Sequence, residues 1–330
     1  MTGILKVLKP GVYTTVQDLG RYGHQSEGFS PAGAMDYRAF RLANQLLGNT
    51  ETAAALEMTL QGGTFEVLSD TFIATAGAEM PIDIDGSSHP SGIAIPVLKG
   101  SIITIGAAAS GARTYLAAAG GFKVNRVLGS ASTHARSGIG GYSGRPLKAS
   151  DRLAAYGGQV HKIAQQRVQI PAGDDVVHVV PGQQFERFDE AMQHTFFEGE
   201  YELTKDADRM GARLKGPELE ATSHDVLSEP TQLGSIQVPK GGQPIVLLND
   251  RQTAGGYAKI ATVVRADIPK FVQKQPGETI RFKAVTVEEA TDMYKAEMAR
   301  IEDGAYMKTN DDFRAHIRPV SKKIEKLMGG

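Results

Sequence analysis

Apolar residues recur along the first half of the chain in short runs that are typical of β-strands. Five such runs cover residues 65–68, 72–76, 82–84, 93–98 and 102–105, and turn-forming glycine, serine or aspartate residues separate them. Runs of this length without intervening helices are the pattern of β-barrels and sandwiches, rather than of alternating strands and helices. The pattern therefore predicts a mainly β fold.

One clear helix interrupts the strands. After Asp36, apolar residues follow the i, i+3, i+4, i+7 spacing of a helix face, at Ala39, Leu42, Ala43 and Leu46. Aspartate is a favoured N-cap because its carboxylate accepts backbone N–H groups of the first turn. Capping alone therefore accounts for Asp36.

The segment 53–60 fits a helix or a strand equally well. It contains Glu57 between Leu56 and Met58. A carboxylate in such an apolar setting is costly to bury alone. Glu57 is therefore expected to be exposed, paired or functional.

The chain divides into two related halves. Periodicity is lost across 151–174, which we interpret as a domain boundary. A short strand ends at Pro10-Gly11, and a similar strand ends at Pro181-Gly182, which suggests an internal repeat. The predicted organisation is an N-terminal β-barrel domain over 1–165, a C-terminal β-barrel domain over 175–285 and a helical tail over 286–330.

The tail begins with a helix signal. Thr286 and Glu289 have the spacing of a capping box, and apolar residues at helical spacing follow. Residues 304–330 are strongly charged, so we expect a loosely attached helix or a frayed end there.

Composition narrows the function classes. The chain has 330 residues and a formal net charge of −1, so no general attraction to nucleic acid or membranes is expected. It contains no cysteine, which excludes disulfides, thiolate catalysis and cysteine-ligated metals. No signal-peptide pattern and no run of about 20 apolar residues is present, and a cytoplasmic location is predicted.

The strongest candidate for chemistry follows a short apolar strand at 244–248. The strand runs directly into polar residues and a glycine pair: Asn249, Asp250, Arg251, Gln252, Thr253, Gly255, Gly256 and Tyr257. Polar groups at the end of a core strand must bind each other or a ligand. Glycines allow backbone angles and close approaches that a Cβ blocks. The alternatives are a ligand-binding loop and a tight hairpin that an Asp–Arg pair merely stabilises.

A similar cluster lies near the N-terminus. Gln17, Asp18, Gly20 and Arg21 fall within five residues. This can be a polar surface turn, or a loop in which Arg21 binds an anion or polarises a carbonyl. The recurrence of the same residue types in both halves favours a shared site.

Other sequence features point away from metal and nucleotide chemistry. The eight histidines are scattered without ligand spacing, so no metal site is predicted. No phosphate-binding loop ending in Gly-Lys-Ser/Thr is present. Ser130, Ser132 and Thr133 lack a nucleophile elbow and are interpreted as hydrogen-bonding loop residues. Arg113, Arg209 and Asp208 are weaker candidates, which we interpret as structural pairs.

Several motifs together resemble a known family. In order, they are TTVQDLGR, SPAGAMD, RLANQLLGN, RTYLAAAGG, DRMGARLKGPEL, GSIQVP and GQPIVLLNDRQTAGGY. Their order and spacing are similar to those of biotin-dependent carboxyltransferase-like proteins, over roughly residues 4 to 285. That family includes allophanate hydrolase subunit 2, the carboxyltransferase domain of urea carboxylase and the KipA/PxpC subunit of 5-oxoprolinase. The resemblance implies two cyclophilin-like β-barrel domains with a ligand cleft between them.

The resemblance also implies a function. A free-standing chain of this length is most similar to the PxpC subunit of a bacterial ATP-dependent 5-oxoprolinase, a hydrolase that opens 5-oxo-L-proline to L-glutamate. The implied partners are a KipI/PxpB-type subunit and a PxpA-type subunit, and the isolated chain is expected to be inactive. Two alternatives stay open: a biotin-dependent carboxyltransferase acting on urea or a related amide, and a KipA-like regulator that antagonises a kinase inhibitor.

The implied cofactors follow from these alternatives. No cofactor is expected to bind tightly, and ATP is consumed by the complex. Biotin is involved only in the carboxyltransferase alternative, where it must arrive on another chain because no Met-Lys-Met context is present here.

The hypothesis for the site assigns residues to two groups. The catalytic candidates are Asp18, Arg21, Asp250 and Arg251, with the arginines binding carboxylate or carbonyl oxygens and the aspartates orienting them or handling a proton. The substrate-binding candidates are Gln17, Asp36, Gln237, Gln252, Thr253, Gly255, Gly256 and Tyr257. The expected substrate is a small carboxylated amide.

Overall fold

The computed structural model describes residues 3–157, 166–171, 173–223 and 226–309. Strands dominate this part of the chain, and four α-helices accompany them. The prediction of a mainly β fold with a few short helices is therefore confirmed. None of the described helices is both long and apolar enough to cross a membrane.

The first half contains twelve strands and one α-helix. In chain order they are β1 (Leu5–Lys9), β2 (Tyr13–Gln17), α1 (Tyr37–Gln45), β3 (Ala55–Thr59), β4 (Thr64–Val67), β5 (Thr71–Glu79), β6 (Ile82–Ile84), β7 (Ser87–His89), β8 (Ala94–Val97), β9 (Ile102–Ile105), β10 (Ser110–Ala118), β11 (Phe122–Lys123) and β12 (Arg152–Ala155).

The remaining elements, in the same order, are β13 (Gln166–Val168), β14 (Val176–Pro181), α2 (Glu190–Glu198), β15 (Glu200–Ala207), β16 (Gly211–Lys215), β17 (Glu229–Pro230), β18 (Ser235–Val238), β19 (Ile245–Leu247), β20 (Ala254–Gly255), β21 (Ala258–Val263), α3 (Ile268–Val272), β22 (Thr279–Ala284), α4 (Val287–Glu302) and β23 (Met307–Thr309).

The first-half strands form two sheets around one core. One sheet has the order β11-β12-β1-β4-β9-β6-β7 and the other the order β2-β3-β10-β5-β8. Leu5, Phe65 and Ile103 from the first sheet pack with Leu56 and Leu116 from the second. The predicted first-half barrel is thus realised as a sandwich, in which the described hydrogen-bonded ladder does not continue from one sheet to the other.

Helix α1 covers the outer face of the five-stranded sheet. Asp36 caps it, with its carboxylate accepting the Ala39 N–H at 2.8 Å, as the sequence predicted. Phe40 packs edge-to-face on Tyr115, with ring centroids 5.9 Å apart. Because the first half buries both faces of this sheet, even its polar residues lie in the interior.

The second half forms a closed barrel of seven strands. Their order is β14-β21-β18-β19-β16-β15-β22, and a parallel pairing between the first and last of these closes the ring. Its core includes Val177, Ile236 and Ile260, together with Met35 from the first half. The core of the barrel is therefore completed by the other half of the chain.

The ambiguous segment and the tail are both resolved by their packing. Residues 55–59 form β3, an interior strand of the five-stranded sheet between β2 and β10. The predicted capping box of Thr286 and Glu289 starts α4. The expectation of a loosely attached end is wrong for residues 304–309, since β23 pairs with β13 and Ile301 and Tyr306 are buried. Residues 310–330 and the predicted boundary at 165 lie outside the described residues.

Candidate functional site

Both polar clusters predicted from the sequence lie where the two halves meet. The Ala32 N–H donates to the Asn249 carbonyl at 3.1 Å, and the Ser30 hydroxyl donates to the Arg251 carbonyl. The loop after β2 and the loop after β19 therefore lie against each other, although they are more than half the chain apart.

Glycines allow this close approach. Gly33 has φ of +91°, and a Cβ there would lie 2.9 Å from the backbone of Leu19 and Gly20. A side chain at Gly33 would thus push the two arms of the first-half loop apart, in addition to straining the backbone.

Arg209 is the centre of a buried network between the halves, which we call the junction network (Glu57, Tyr115, Arg209 and Asp250). Its Nε and Nη2 donate to the two oxygens of Asp250 at 3.0 and 2.9 Å. Its Nη1 donates to Glu57, and Nη2 also reaches the Gly33 carbonyl at 2.7 Å. The Tyr115 hydroxyl donates to the other oxygen of Glu57 at 2.7 Å.

The charges in the junction network stabilise one another. Burial alone lowers the pKa of Arg209, but the carboxylates of Asp250 and Glu57 outweigh it and the pKa is raised. Burial, together with the charge of Glu57, raises the pKa of Tyr115 well above its ordinary value. Arg209 therefore stays cationic and Tyr115 stays a neutral donor.

This network corrects one sequence-based hypothesis. Asp250 was expected to orient Arg21 or Arg251, its neighbour in sequence. In the structure, it orients Arg209 through a bidentate pair instead. Residues 249–250 form a turn after β19, closed by the Arg251 N–H donating to the Leu248 carbonyl at 3.1 Å, and in this turn the Asp250 carboxylate reaches Arg209.

Asp18 is saturated with hydrogen bonds from the protein itself. Its carboxylate accepts the Ser130 and Ser132 hydroxyls and the Ala131 N–H, each at 2.6 Å, and the Gly20 N–H at 2.9 Å. The interpretation of the two serines as hydrogen-bonding loop residues is confirmed. With its acceptor positions used in this way, Asp18 organises the loop rather than facing a ligand.

The Arg126 guanidinium adds a further donor to Asp18, from Nη1 at 3.2 Å. It is half-exposed and also binds the Thr52 and Gly129 carbonyls. The sequence-based hypothesis that Asp18 orients Arg21 or Arg251 is therefore not what the hydrogen bonds show. Asp18 pairs with Arg126, a residue that the sequence motifs did not single out.

Arg21 is enclosed by the same loop. It is 1% exposed, and its Nη2 donates to the Ser132 carbonyl. Its Nε and Nη1 have no partner in the part of the chain that the structure describes. A Cβ on Gly140 would lie 2.6 Å from Nη2, so the glycine permits this packing. Burial lowers the pKa of Arg21.

The neighbouring Gln17 is also buried. Its amide nitrogen donates to the Thr15 hydroxyl at 2.9 Å and the Thr133 carbonyl at 3.2 Å. Its carbonyl oxygen has no partner among the described residues. Arg21 and Gln17 thus have spare hydrogen-bonding capacity in the interior, but the structure does not expose either of them to solvent.

The loop at residues 252–257, which we call the glycine loop, is more exposed to solvent than the loop that contains Gln17 and Arg21. Gln252 and Tyr257 are exposed, Tyr257 by 46%. Gly255 pairs with Glu229 in the short ladder between β17 and β20. A Cβ on Gly255 would lie 2.8 Å from the Gln237 amide nitrogen. The absence of a side chain at Gly255 therefore lets the Gln237 amide pack directly against the glycine loop.

Gln237, beside Gly255, and Arg251, which directly precedes the glycine loop and has Tyr22 and Arg265 as titratable neighbours, each keep an unused donor. The Gln237 side chain is 2% exposed, and its amide nitrogen has no partner among the described residues. Arg251 donates from Nη1 to the Leu248 carbonyl at 3.3 Å, whereas its Nε is unpaired within the same residues. Burial lowers the pKa of Arg251 to about 10, so it is still cationic at neutral pH.

Asp36 lies apart from the glycine loop. Besides capping α1, its carboxylate accepts the Gln273 amide at 2.8 Å. It lines a separate cavity between α1, α3 and α4. The structure therefore does not bring Asp36 together with Arg251, and its contacts are those of a structural residue.

Sequence reasoning missed the role of Asn249. Its side-chain nitrogen donates to the Ala32 and Ala34 carbonyls at 3.1 and 3.0 Å, which fixes the first-half loop on the barrel. Its side-chain oxygen is buried without a partner in the described part of the chain. The available signal was its position as the first polar residue after a core strand.

The arrangement suits an anionic or carbonyl-bearing ligand. A cationic Arg251, the Gln237 amide and the backbone around Gly255 offer donors, and such donors stabilise carboxylate oxygens or a developing oxyanion. Within the described residues, no three histidine or acidic side chains are grouped so that they could hold a metal ion.

Known proteins with similar sequences fall into two groups. The chain is 40% identical to the C subunit of 5-oxoprolinase from Escherichia coli, over 87% of this chain and 93% of that protein. It is 37% identical to the corresponding 5-oxoprolinase protein of Haemophilus influenzae, over 88% of this chain and 96% of that protein. It is also 29% identical to the urea amidolyase of Saccharomyces cerevisiae, over 98% of this chain but only 19% of that protein.

A solved structure and a family model give the same relationship. The Kluyveromyces lactis urea amidolyase superposes with a TM-score of 0.84 at 29% identity, covering 91% of this chain and 20% of that chain. The chain thus spans about a fifth of that larger enzyme. The family model described as "Carboxyltransferase domain, subdomain A and B" matches residues 27–284. The chain therefore belongs to the carboxyltransferase domain family, as its motifs predicted.

Proposed function

We propose that this chain is the PxpC-type subunit of a bacterial ATP-dependent 5-oxoprolinase. The supporting observation is the extent of the similarity: nearly the whole length of each of the two 5-oxoprolinase proteins is matched. In contrast, the match to urea amidolyase covers about a fifth of a much longer protein. The extent of the match therefore favours the 5-oxoprolinase proteins over the longer urea amidolyase.

In this proposal, the glycine loop and Arg251 hold the substrate. Opening a lactam requires that its carboxylate is bound, its carbonyl is polarised and its leaving nitrogen receives a proton. Arg251 binds a carboxylate or carbonyl oxygen, and Gly255 and Gly256 let the backbone approach the ligand. The neutral hydrogen bonds and the wall of the pocket come from Gln237, Gln252, Thr253 and Tyr257.

The candidate residues Asp250 and Asp18 have a structural role in this proposal. Asp250 holds Arg209, and Asp18 holds the loop that contains Arg21, so these residues position the junction on which Arg251 rests. No proton-transfer step is assigned to either aspartate, because both carboxylates are already engaged by donors from the protein. The proton for the leaving nitrogen therefore comes from another protein of the complex or from water.

The proposal includes partners and ATP. A KipI/PxpB-type subunit and a PxpA-type subunit complete the enzyme, and ATP is consumed by the complex. No cofactor is bound tightly to this chain, which works in the cytoplasm. The direct test is 5-oxoproline-dependent ATP hydrolysis by the partner subunits with and without this chain. Equal rates in both mixtures would contradict the proposal.

A variant of Arg251 tests the site itself. Arg251→Ala removes the cation of the proposed site, and we expect kcat/KM of the reconstituted complex to fall by about 100-fold, as for loss of one oxyanion donor. Arg251→Lys keeps the charge and is expected to recover part of the activity. The measurement is steady-state glutamate formation.

Arg213→Ala is the matched control, because Arg213 lies exposed on β16 of the same barrel. It should leave the kcat/KM unchanged. Wild-type kcat/KM in Arg251→Ala, with the same complex formation, would remove Arg251 from the site.

A second candidate function is carboxyl transfer. The name of the family and the similarity to urea amidolyase favour it. The unpaired donors of Arg251 and Gln237 also fit a carboxylate or ureido oxygen. Biotin would then supply the carboxyl group from another chain. Urea-dependent ATP hydrolysis with a biotin carboxylase and a biotin carrier, but none with 5-oxoproline, would favour this function.

A further inference from the structure

A cavity of about 860 Å³ lies away from the glycine loop, between α1, α3, α4 and the two-stranded ribbon of β13 and β23. Neither Arg251 nor any residue of the glycine loop lines it. Both halves of the chain contribute, for example Asp36 and Lys270. It is therefore a separate cavity, partly open to solvent and independent of the site proposed above.

The ribbon places two cations opposite each other at this cavity. Arg167 on β13 and Lys308 on β23 are direct cross-strand partners, and both line the space. They form the central pair of a ladder with only three residue pairs. Like charges directly opposite each other destabilise an antiparallel pair. An anion between them would remove this repulsion.

The residues Arg167 and Lys308 are both exposed to solvent. Among the residues that the structure describes, no acidic side chain pairs with Arg167 or Lys308. The Nε of Arg38, another lining residue, is buried and also has no partner within those residues. The cavity thus offers three sets of N–H donors that the described protein leaves unused.

The acidic residues of the cavity, in contrast, are engaged. Glu297 accepts the Tyr306 hydroxyl and pairs with Arg38 and Arg300. Asp267 pairs with Lys270 and binds His178. Six acidic and six basic side chains line the space, so the formal charges balance. The absence of acidic partners for Arg167 and Lys308 within the described chain decides the sign of the ligand.

Asp174 and Glu278 are engaged as well. Asp174 pairs with Lys270 at 3.0 Å, and Glu278 accepts the backbone N–H of Gln275. Glu79 accepts the Ser110 hydroxyl at 3.3 Å on the opposite wall. Each of these carboxylates therefore has at least one partner, whereas Arg167 and Lys308 have no acidic partner within the described chain.

We propose that this cavity binds a small anion with several phosphate or carboxylate groups, held by Arg167 and Lys308 across the ribbon and by Arg38. Guanidinium and ammonium groups bind both kinds of oxyanion. The volume of the cavity accommodates a ligand of metabolite size. Because the ribbon ties β23 and the end of α4 to the first half, bound anion also stabilises this connection.

Calorimetric titration of the full chain with inorganic pyrophosphate and with citrate tests the proposal. At least one probe is expected to bind in the micromolar to millimolar range, and the tighter of the two identifies the group that the site prefers. The double variant Arg167→Ser/Lys308→Ser is expected to weaken binding by about tenfold, the equivalent of one charge-assisted hydrogen bond. Without anion, its melting temperature should not fall, since the variant relieves repulsion.

Lys205→Ser/Lys283→Ser is the matched control, because both lysines are exposed on strands of the barrel and neither lines the cavity. It should bind the probes like the wild type. No saturable binding of either probe, or an equal loss in both double variants, would overturn the site. If the cavity variant does not fold, Arg167→Gln alone is expected to weaken binding about threefold, and unchanged affinity there would equally overturn it.

Discussion

Arg209 of the junction network and Arg251, which directly precedes the glycine loop, differ in how many hydrogen-bond partners they have. The Arg209 guanidinium donates hydrogen bonds to Asp250, Glu57 and the Gly33 carbonyl. Arg251 is just as buried, at 6% exposure, but it has one backbone carbonyl as a partner and an unpaired Nε in the described chain. The difference shows that Arg209 joins the two halves, whereas Arg251 keeps an unused donor, as the proposed function requires.

The comparison has a physical basis. A buried charge costs several kcal/mol unless partners compensate for it. Asp250 and Glu57 provide that compensation for Arg209, whose pKa rises, whereas burial lowers the pKa of Arg251. A site that retains an uncompensated cation gives up stability, and this is common where binding energy is needed.

The largest effect is expected from removing the central cation of the junction network. Arg209→Met leaves Asp250 and Glu57 buried without their counterion, so the free energy of unfolding should fall by about 3–5 kcal/mol. Urea unfolding followed by circular dichroism measures it. Arg213→Met, an exposed arginine on β16, controls for the loss of one positive charge and should have little effect. An unchanged unfolding midpoint for Arg209→Met would show that the network contributes no stability.

A smaller stability effect, but a clear effect on activity, is expected in the glycine loop. Gly255→Ala places a methyl carbon 2.8 Å from the Gln237 amide nitrogen, which is closer than van der Waals contact. Gln237 can rotate aside, so the unfolding free energy should change by less than about 1 kcal/mol. The kcat/KM of the reconstituted complex should fall by about tenfold as the amide is displaced. Gly241→Ala, where a Cβ meets nothing, is the control. Equal activity of both variants would contradict the role of this amide.

The smallest effect concerns acid sensitivity beneath the glycine loop. Lys259 and Gln184 donate to Glu229, which lies opposite Gly255 in the ladder, and the hydrogen bond from Lys259 is the main reason that the pKa of Glu229 is lowered. Because the folded pKa is below the unfolded value of about 4.3, the pair stabilises the fold above that pH. This stabilisation is lost as pH falls through the folded pKa.

Glu229→Gln tests this dependence. We expect the variant to be less stable than the wild type by about 1 kcal/mol at pH 7, with the difference shrinking as the pH falls below about 4. Urea midpoints at several pH values measure it. A difference that stays constant down to acidic pH would exclude the ion pair as its cause.

Much of the fold could be predicted from local patterns. Strand-length apolar runs indicated the sheets, and Asp36 and Thr286 indicated helix starts. Segment 53–60 could not be assigned, because its apolar pattern fits either element and only the neighbours β2 and β10 decide for a strand.

The site was less predictable, because its residues are far apart in the sequence. Glu57 and Arg209 are 152 positions apart, and nothing local indicates that they meet. Sequence adjacency suggested that Asp250 pairs with Arg251, but in the turn after β19 its carboxylate binds Arg209 instead. The glycine loop could be singled out because polar residues and glycines directly follow a core strand.

The insertion of Met35 into the barrel core has a consequence for how such a chain can be divided. Residues of the first half fill space inside the second, and Glu57 supplies half of the countercharge for Arg209. Expressed alone, the barrel would have a hole in its interior and a guanidinium short of one carboxylate. We therefore expect related, engineered and fused forms of the protein to keep both halves together in one continuous segment.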